Sequence, residues 1–155
     1  MAHQMITYLE KIGYLKNKGD IKMTNKHYNW VNDMIDFETN VMKSKHPTTQ
    51  TFPDEQTKDL RIKLLNEEMK ETIDAMNNYD MEEIADGIVD SIVILIGTAL
   101  TYGINILPVW DEVYRTNMAK AGGKLREDGK LLKPEGWQPP NIKKILKEQG
   151  WDQTK

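Results

Sequence analysis

Cysteine is absent from the 155 residues. That excludes disulfides, thiolate metal sites and a cysteine nucleophile. Histidine is scarce: His3, His27 and His46 all fall in the first third of the chain, so no later segment offers an imidazole. Basic excess is missing too. The formal net charge is -3, which does not mark a nucleic-acid binder and leaves any basic patch local. Long apolar runs are lacking. The longest, Ile88 to Leu100, is interrupted by Asp90, Ser91 and Gly97 and taken alone is too short to span a bilayer. Residues 1–22 hold no apolar run long enough for a signal peptide. Together these absences predict a cytoplasmic protein (host cytoplasm if viral) with neither a nucleic-acid nor a membrane partner. There is no internal repeat and no low-complexity segment.

What is present is an ordinary globular balance, 39% hydrophobic and 29% charged residues, in a length that suits one core. Residues 23–155 are expected to form a single domain, with 1–22 a peripheral extension. The periodicity predicts an all-α bundle of four main helices. Trp30, Met34, Phe37 and Val41 recur at helical spacing, predicting a helix over 24–45 capped by Thr24 or Asn25 and stopped before Pro47. At that spacing Trp30 and Phe37 read as core. A second helix is predicted over 55–77. A third runs to Tyr102, with Asp80 as its cap, Glu83 in a capping box and Gly103 as a left-handed stop. A fourth begins near Asn105 with Pro108 in its first turn and runs to Ala121. A small hairpin around Asp128-Gly129, an irregular tail and a short helix over 141–149 complete the chain.

The second and third helices carry acid where apolar residues belong. With Leu65 as zero on the helical wheel, Met69, Ile62, Ile73 and Met76 fall between about 20° and 80°. Thr72, Ala75 and Leu64 extend the arc to about -100° on the other side. Glu68 lies inside it at about -60°, Glu71 at its edge near -120°, and Glu67 opposite, near 200°. On the third helix Glu83, Asp86 and Asp90 share a stripe about 60° wide, which continues into Val93, Ile94 and Gly97. This helix is apolar nearly all round after Ser91, so it is expected at the centre of a helical assembly. Buried carboxylates held together repel and need a compensating positive charge. Arg61 could supply one. An oxygen-only ligand set otherwise suits Mg²⁺ or Mn²⁺ and argues against di-iron sites built on Glu-x-x-His. The plainer reading, solvated faces and salt bridges, holds for Lys63, Lys70 and Glu82 and would hold for Glu67 alone.

Glu67-Glu68-x-x-Glu71, eleven residues, then Glu83-x-x-Asp86 resembles the signature of the MazG-like nucleoside triphosphate pyrophosphohydrolases, a superfamily that includes phosphoribosyl-ATP pyrophosphohydrolases and all-helical dUTPases. The segments 83–90, 97–99, 111–120 and 128–134 also resemble its short stand-alone phage and bacterial members. The resemblance implies that Glu68, Glu71, Glu83 and Asp86 hold two or three Mg²⁺ or Mn²⁺ ions, with Glu67 assisting and Asp90 a further ligand or supporting group. It implies attack of water on the α-phosphorus, giving a nucleoside monophosphate and diphosphate, on a deoxynucleotide such as dGTP. Arg115, Asn117 and Lys120 would grip phosphates, although Arg115 could instead pair with Asp111. Family members are typically homodimers or homotetramers. Two alternatives stand beside this: a phosphoribosyl-ATP pyrophosphohydrolase, and a non-catalytic helical oligomerisation or metal-binding module.

Overall fold

The architecture follows from two helix pairs and a tail that clasps them. The computed structural model describes residues 29–152, and over them the fold is all-α with five helices. The chain divides into two units, Met1–Asp33 and Met34–Lys155. Of the first, only 29–33 are described, so the expected boundary at 22/23 and the caps at Thr24 or Asn25 lie outside the described residues. Helix α1 is Trp30–Asn40. Its first turn is capped by Asn29, whose side chain accepts from the Asn32 N–H at 3.1 Å.

α1 ends at Asn40, five residues before the predicted stop. The Met42 N–H reaches back five residues to Phe37 and that of Ser44 six residues to Glu38, so the ladder widens and unwinds into a left-handed Lys43 at φ 55°. The chain has therefore left the helix before Pro47 can act. Met34 is buried, whereas Phe37, expected in the core, is 41% exposed.

Helix α2 spans Glu55–Asn78, with Asp54 accepting from the Thr57 N–H at 2.7 Å. Tyr79 turns the chain in the left-handed region at φ 58°, and α3 follows over Met81–Thr101. Asp80 caps α3 through the Glu82 and Glu83 N–H groups. The reciprocal half of the expected capping box is missing, because the Asp80 N–H donates instead to the Ala75 carbonyl at 3.1 Å. Glu83 thus keeps its carboxylate outside the cap.

So short a link makes α2 and α3 an antiparallel hairpin, packed along its length. Small residues set the distance. A Cβ on Gly87 would lie 2.6 Å from Thr72 Oγ1 and 3.2 Å from its Cα. The Ser91 and Thr72 hydroxyls meet at 3.5 Å. Farther along, Arg61 Nε donates to Thr98 Oγ1 at 3.0 Å and Nη2 donates to the Ile94 carbonyl. Gly97 makes room for that guanidinium.

Among the described residues α3 is not central. It meets α2 on one side, and Ile88, Val89 and Leu95 stay exposed, as do Ile62, Met69, Ile73 and Met76 of α2. Nor is the helix too short for a bilayer. Residues 88–100 alone are, but α3 has 21 residues and is long and apolar enough to cross a membrane by length and composition.

Helix α4, Ile106–Met118, is capped by Asn105, and Gly103 ends the preceding segment at φ 66°, as expected. α4 packs against the short α5, Ile142–Glu148. Between them the predicted hairpin is reduced to one bridge, Leu125 to Leu131, closed around Gly129 at φ 83°. The tail then binds the loops. Gln149 accepts from Gln50 Nε2 and the Asn105 N–H and donates to the Asn105 carbonyl. Phe52 meets Tyr102 and Trp151 edge-on.

The α2–α3 contact predicts the effect of filling its closest point. Gly87→Val should destabilise the fold by about 1–3 kcal/mol, since the Thr72 backbone must move. A denaturation midpoint equal to wild type would contradict this packing.

Candidate active site

The carboxylates lie along the α2–α3 hairpin because helical periodicity and its antiparallel register bring Glu68 opposite the Asp86–Asp90 stripe. Glu68 is half-buried in the seam, and its backbone carbonyl accepts the Thr72 hydroxyl at 2.8 Å. Its carboxyl is pushed above the ordinary range, first by burial and then by the charges of Asp90, Glu71, Glu67 and Asp86. Four of the five other predicted metal-binding carboxylates therefore act on Glu68 from two helices. Glu83 does not figure among these influences. It lies at the start of α3 and is exposed.

Arg61 does not neutralise this group. It is spent on Thr98 and Ile94 along the hairpin, where burial lowers its basicity and Glu38 opposes that shift. Lys63 pairs with Glu67 at 3.5 Å and Lys70 with Asp74, as the salt-bridge reading expected. Among the described residues, Glu68, Glu71, Glu83, Asp86 and Asp90 take part in no ion pair. Glu67 stays on the exposed side, as its wheel position requires. The acids are strung along the seam: among the described residues no three gather closely enough to enclose a metal ion.

A divalent cation fits this set. Its donors are all oxygen, all but Glu67 are without a cationic partner among the described residues, and Mg²⁺ is typically held by one or two carboxylates with phosphate and water oxygens completing its shell. A closed protein cage is not needed.

The residues expected to grip phosphates sit elsewhere, at the end of α4 and just beyond it. Arg115 pairs not with Asp111 but with Glu112, through Nε at 2.7 Å and Nη2 at 2.8 Å. Glu112 also accepts the Asn141 N–H at 2.9 Å, which ties α5 to α4. Sequence reasoning missed Glu112, although its i, i+3 spacing to Arg115 allowed the pair; only its second partner, Asn141, is remote in the chain. The Arg115 bonds and the Asn141 N–H hold Glu112 well below its ordinary 4.5, at about 2. Lys120 Nζ donates to Asn117 Oδ1 at 2.7 Å.

The family model for phosphoribosyl-ATP pyrophosphohydrolase matches residues 34–117. The match takes in every carboxylate above, with Arg115 and Asn117, and ends three residues before Lys120. No curated protein matches the chain.

The lowered Glu112 sets an acid-dependence. Its charge stabilises the fold above the unfolded value near 4.5 and ceases to do so as pH falls from there toward about 2. Tryptophan fluorescence melts should show wild type losing stability relative to Glu112→Gln across that window. Parallel pH profiles would contradict the assignment.

Proposed function

Because the chain belongs to the phosphoribosyl-ATP pyrophosphohydrolase family of the MazG-like superfamily, and is thus a nucleotide pyrophosphohydrolase, we propose that it converts a deoxynucleoside triphosphate such as dGTP to the monophosphate and diphosphate. The observation that carries this reading is the seam of carboxylates, in which burial and the charges of Asp90, Glu71, Glu67 and Asp86 act together on an unpaired Glu68. The family is generally Mg²⁺-dependent. Glu68, Glu71, Asp86 and Asp90 would hold Mg²⁺ or Mn²⁺, with Glu83 joining from the start of α3 and Glu67 assisting from the solvent side. Bound there, the ions would offset triphosphate charge and acidify water.

The chain's own residues then orient the reaction. A water oxygen bonds to the α-phosphorus, the bond from that phosphorus to the bridging oxygen breaks, diphosphate leaves, and the water's proton passes to solvent. Asn117 and Lys120 hydrogen-bond phosphate oxygens, while Arg115 adds charge from its fixed place on Glu112. No side-chain nucleophile is needed, since the negative charge developing on the phosphate oxygens is what must be stabilised.

A second reading has a specific observation behind it, the matched family's own substrate. The carboxylates would serve phosphoribosyl-ATP equally. Release of diphosphate should be assayed across deoxynucleoside and ribonucleoside triphosphates and phosphoribosyl-ATP. Turnover of the last alone would sink the deoxynucleotide proposal and leave the chemistry standing. Glu68→Gln, Asp86→Asn and Asp90→Asn should each lower turnover about a hundredfold or more, with circular dichroism unchanged, and Glu67→Gln less. Retained turnover in the first three would contradict their assignment as metal-holding carboxylates.

The open apolar faces of α2 and α3 support a homodimer or homotetramer that completes the core. Light scattering should give two or four times the 18.0 kDa chain mass. A monomer at micromolar concentration would count against this assembly.

A further inference from the structure

Trp137 lies beyond the matched segment, in the tail after the Leu125–Leu131 bridge, and two lysines converge on its ring. Lys133 Nζ stands 4.3 Å from the ring centroid and Lys120 Nζ 5.7 Å. The geometry is built in three steps. The Trp137 N–H closes a turn onto the Pro134 carbonyl at 3.2 Å, with Gly136 at φ 76°. Such a turn needs a residue that tolerates positive φ, and glycine does. The reversal places Lys133, just ahead of the turn, over the ring of the residue that closes it. The indole Nε1–H then donates to the Thr116 carbonyl at 2.8 Å. Thr116 is only 1% exposed, so the ring is fastened to a fixed point in the last turn of α4. That point lies beside Asn117 and one turn before Lys120.

Two ammonium groups brought to one ring repel each other, and a half-buried aromatic face compensates them only in part. Among the described residues neither Lys120 nor Lys133 has a carboxylate partner. Lys120 does donate to Asn117, which leaves the amide N–H₂ of Asn117 available to an acceptor. Two cations and an amide donor around one rigid platform suit a compact, multiply charged anion. Lysine binds phosphate as a point charge. A nucleic-acid strand would require an extended basic surface, and the net charge of -3 offers none overall.

We propose that Lys133 and Trp137, with Lys120 and Asn117, form a clamp for the diphosphate end of the substrate, the part that leaves as product. This rests on the pyrophosphohydrolase reading and adds to it two residues that lie outside the family match. Trp137 is the platform and Lys133 the added charge.

The test uses the full chain, inorganic pyrophosphate and dGMP, with Mg²⁺ present. By calorimetry, Lys133→Met should weaken pyrophosphate binding about tenfold and leave dGMP binding unchanged, and Lys133→Arg should recover most of the loss. The KM for the triphosphate should rise by a similar factor. Trp137→Phe, which keeps a ring, should bind pyrophosphate within threefold of wild type, and Trp137→Leu should match Lys133→Met. Should Trp137→Leu fail to fold, the exposed Lys133 decides the matter. Pyrophosphate binding unaltered by Lys133→Met, undetectable in wild type, or lost together with dGMP binding overturns the clamp. Lysine-dependent pyrophosphate binding without turnover of any nucleotide would instead overturn the proposed reaction and keep the clamp.

Discussion

Glu68 sits half-buried where a helix pair ordinarily places an apolar side chain, within reach of the charges of aspartates on the partner helix, and the features that hold the pair together are arranged around it. Like charges across a seam push helices apart. Here the seam is held by features that flank the acid. Thr72 lies against Gly87 and meets Ser91. Arg61 binds Thr98 and the Ile94 carbonyl in the space left by Gly97. The basic residue that could have neutralised the carboxylates is used to brace the hairpin instead. Among the described residues no cationic side chain pairs with Glu68, so packing and the proposed metal chemistry place opposite demands on the same few turns.

The second helix pair has a different logic. α4 and α5 are joined by a polar hub in which one carboxylate serves both elements: Glu112 takes the Arg115 guanidinium and the Asn141 N–H. Thr116 is buried beside it, and its carbonyl fastens Trp137. The tail then returns to the first pair, where Gln149 and Trp151 engage the loops at Gln50–Phe52 and Tyr102–Asn105. Basic and amide groups thus collect at the end of α4 and in the segment after it, while acid collects on α2 and α3. On the proposed reaction, a nucleotide bridging metal and lysine would need both kinds of surface.

Much of this was legible in the residue pattern. The α2 and α3 spans, the Asp80 cap, the left-handed Gly103, the tight turn at Asp128-Gly129 and the exposed place of Glu67 all follow from local rules that act within a few residues. The inward place of Glu68 also follows, because a wheel needs only one helix. The errors share a cause. The end of α1, the half-made capping box, the partner of Arg115 and the use of Arg61 were each settled by a competing bond. The Phe37 carbonyl took the Met42 N–H, Ala75 took the Asp80 N–H, Glu112 displaced Asp111, and Thr98 drew Arg61 along the hairpin.

By itself the sequence determined the all-α class, the order of the helices and which carboxylates share a face, since helical periodicity is a property of each segment alone. The tertiary structure decided which charges are answered. Its antiparallel register set Glu68 against Asp86 and Asp90, moved the nearest arginine away and brought Lys133 and Lys120 to one indole ring. Those outcomes depend on distances between segments remote in the chain, and a helical wheel carries no such distances.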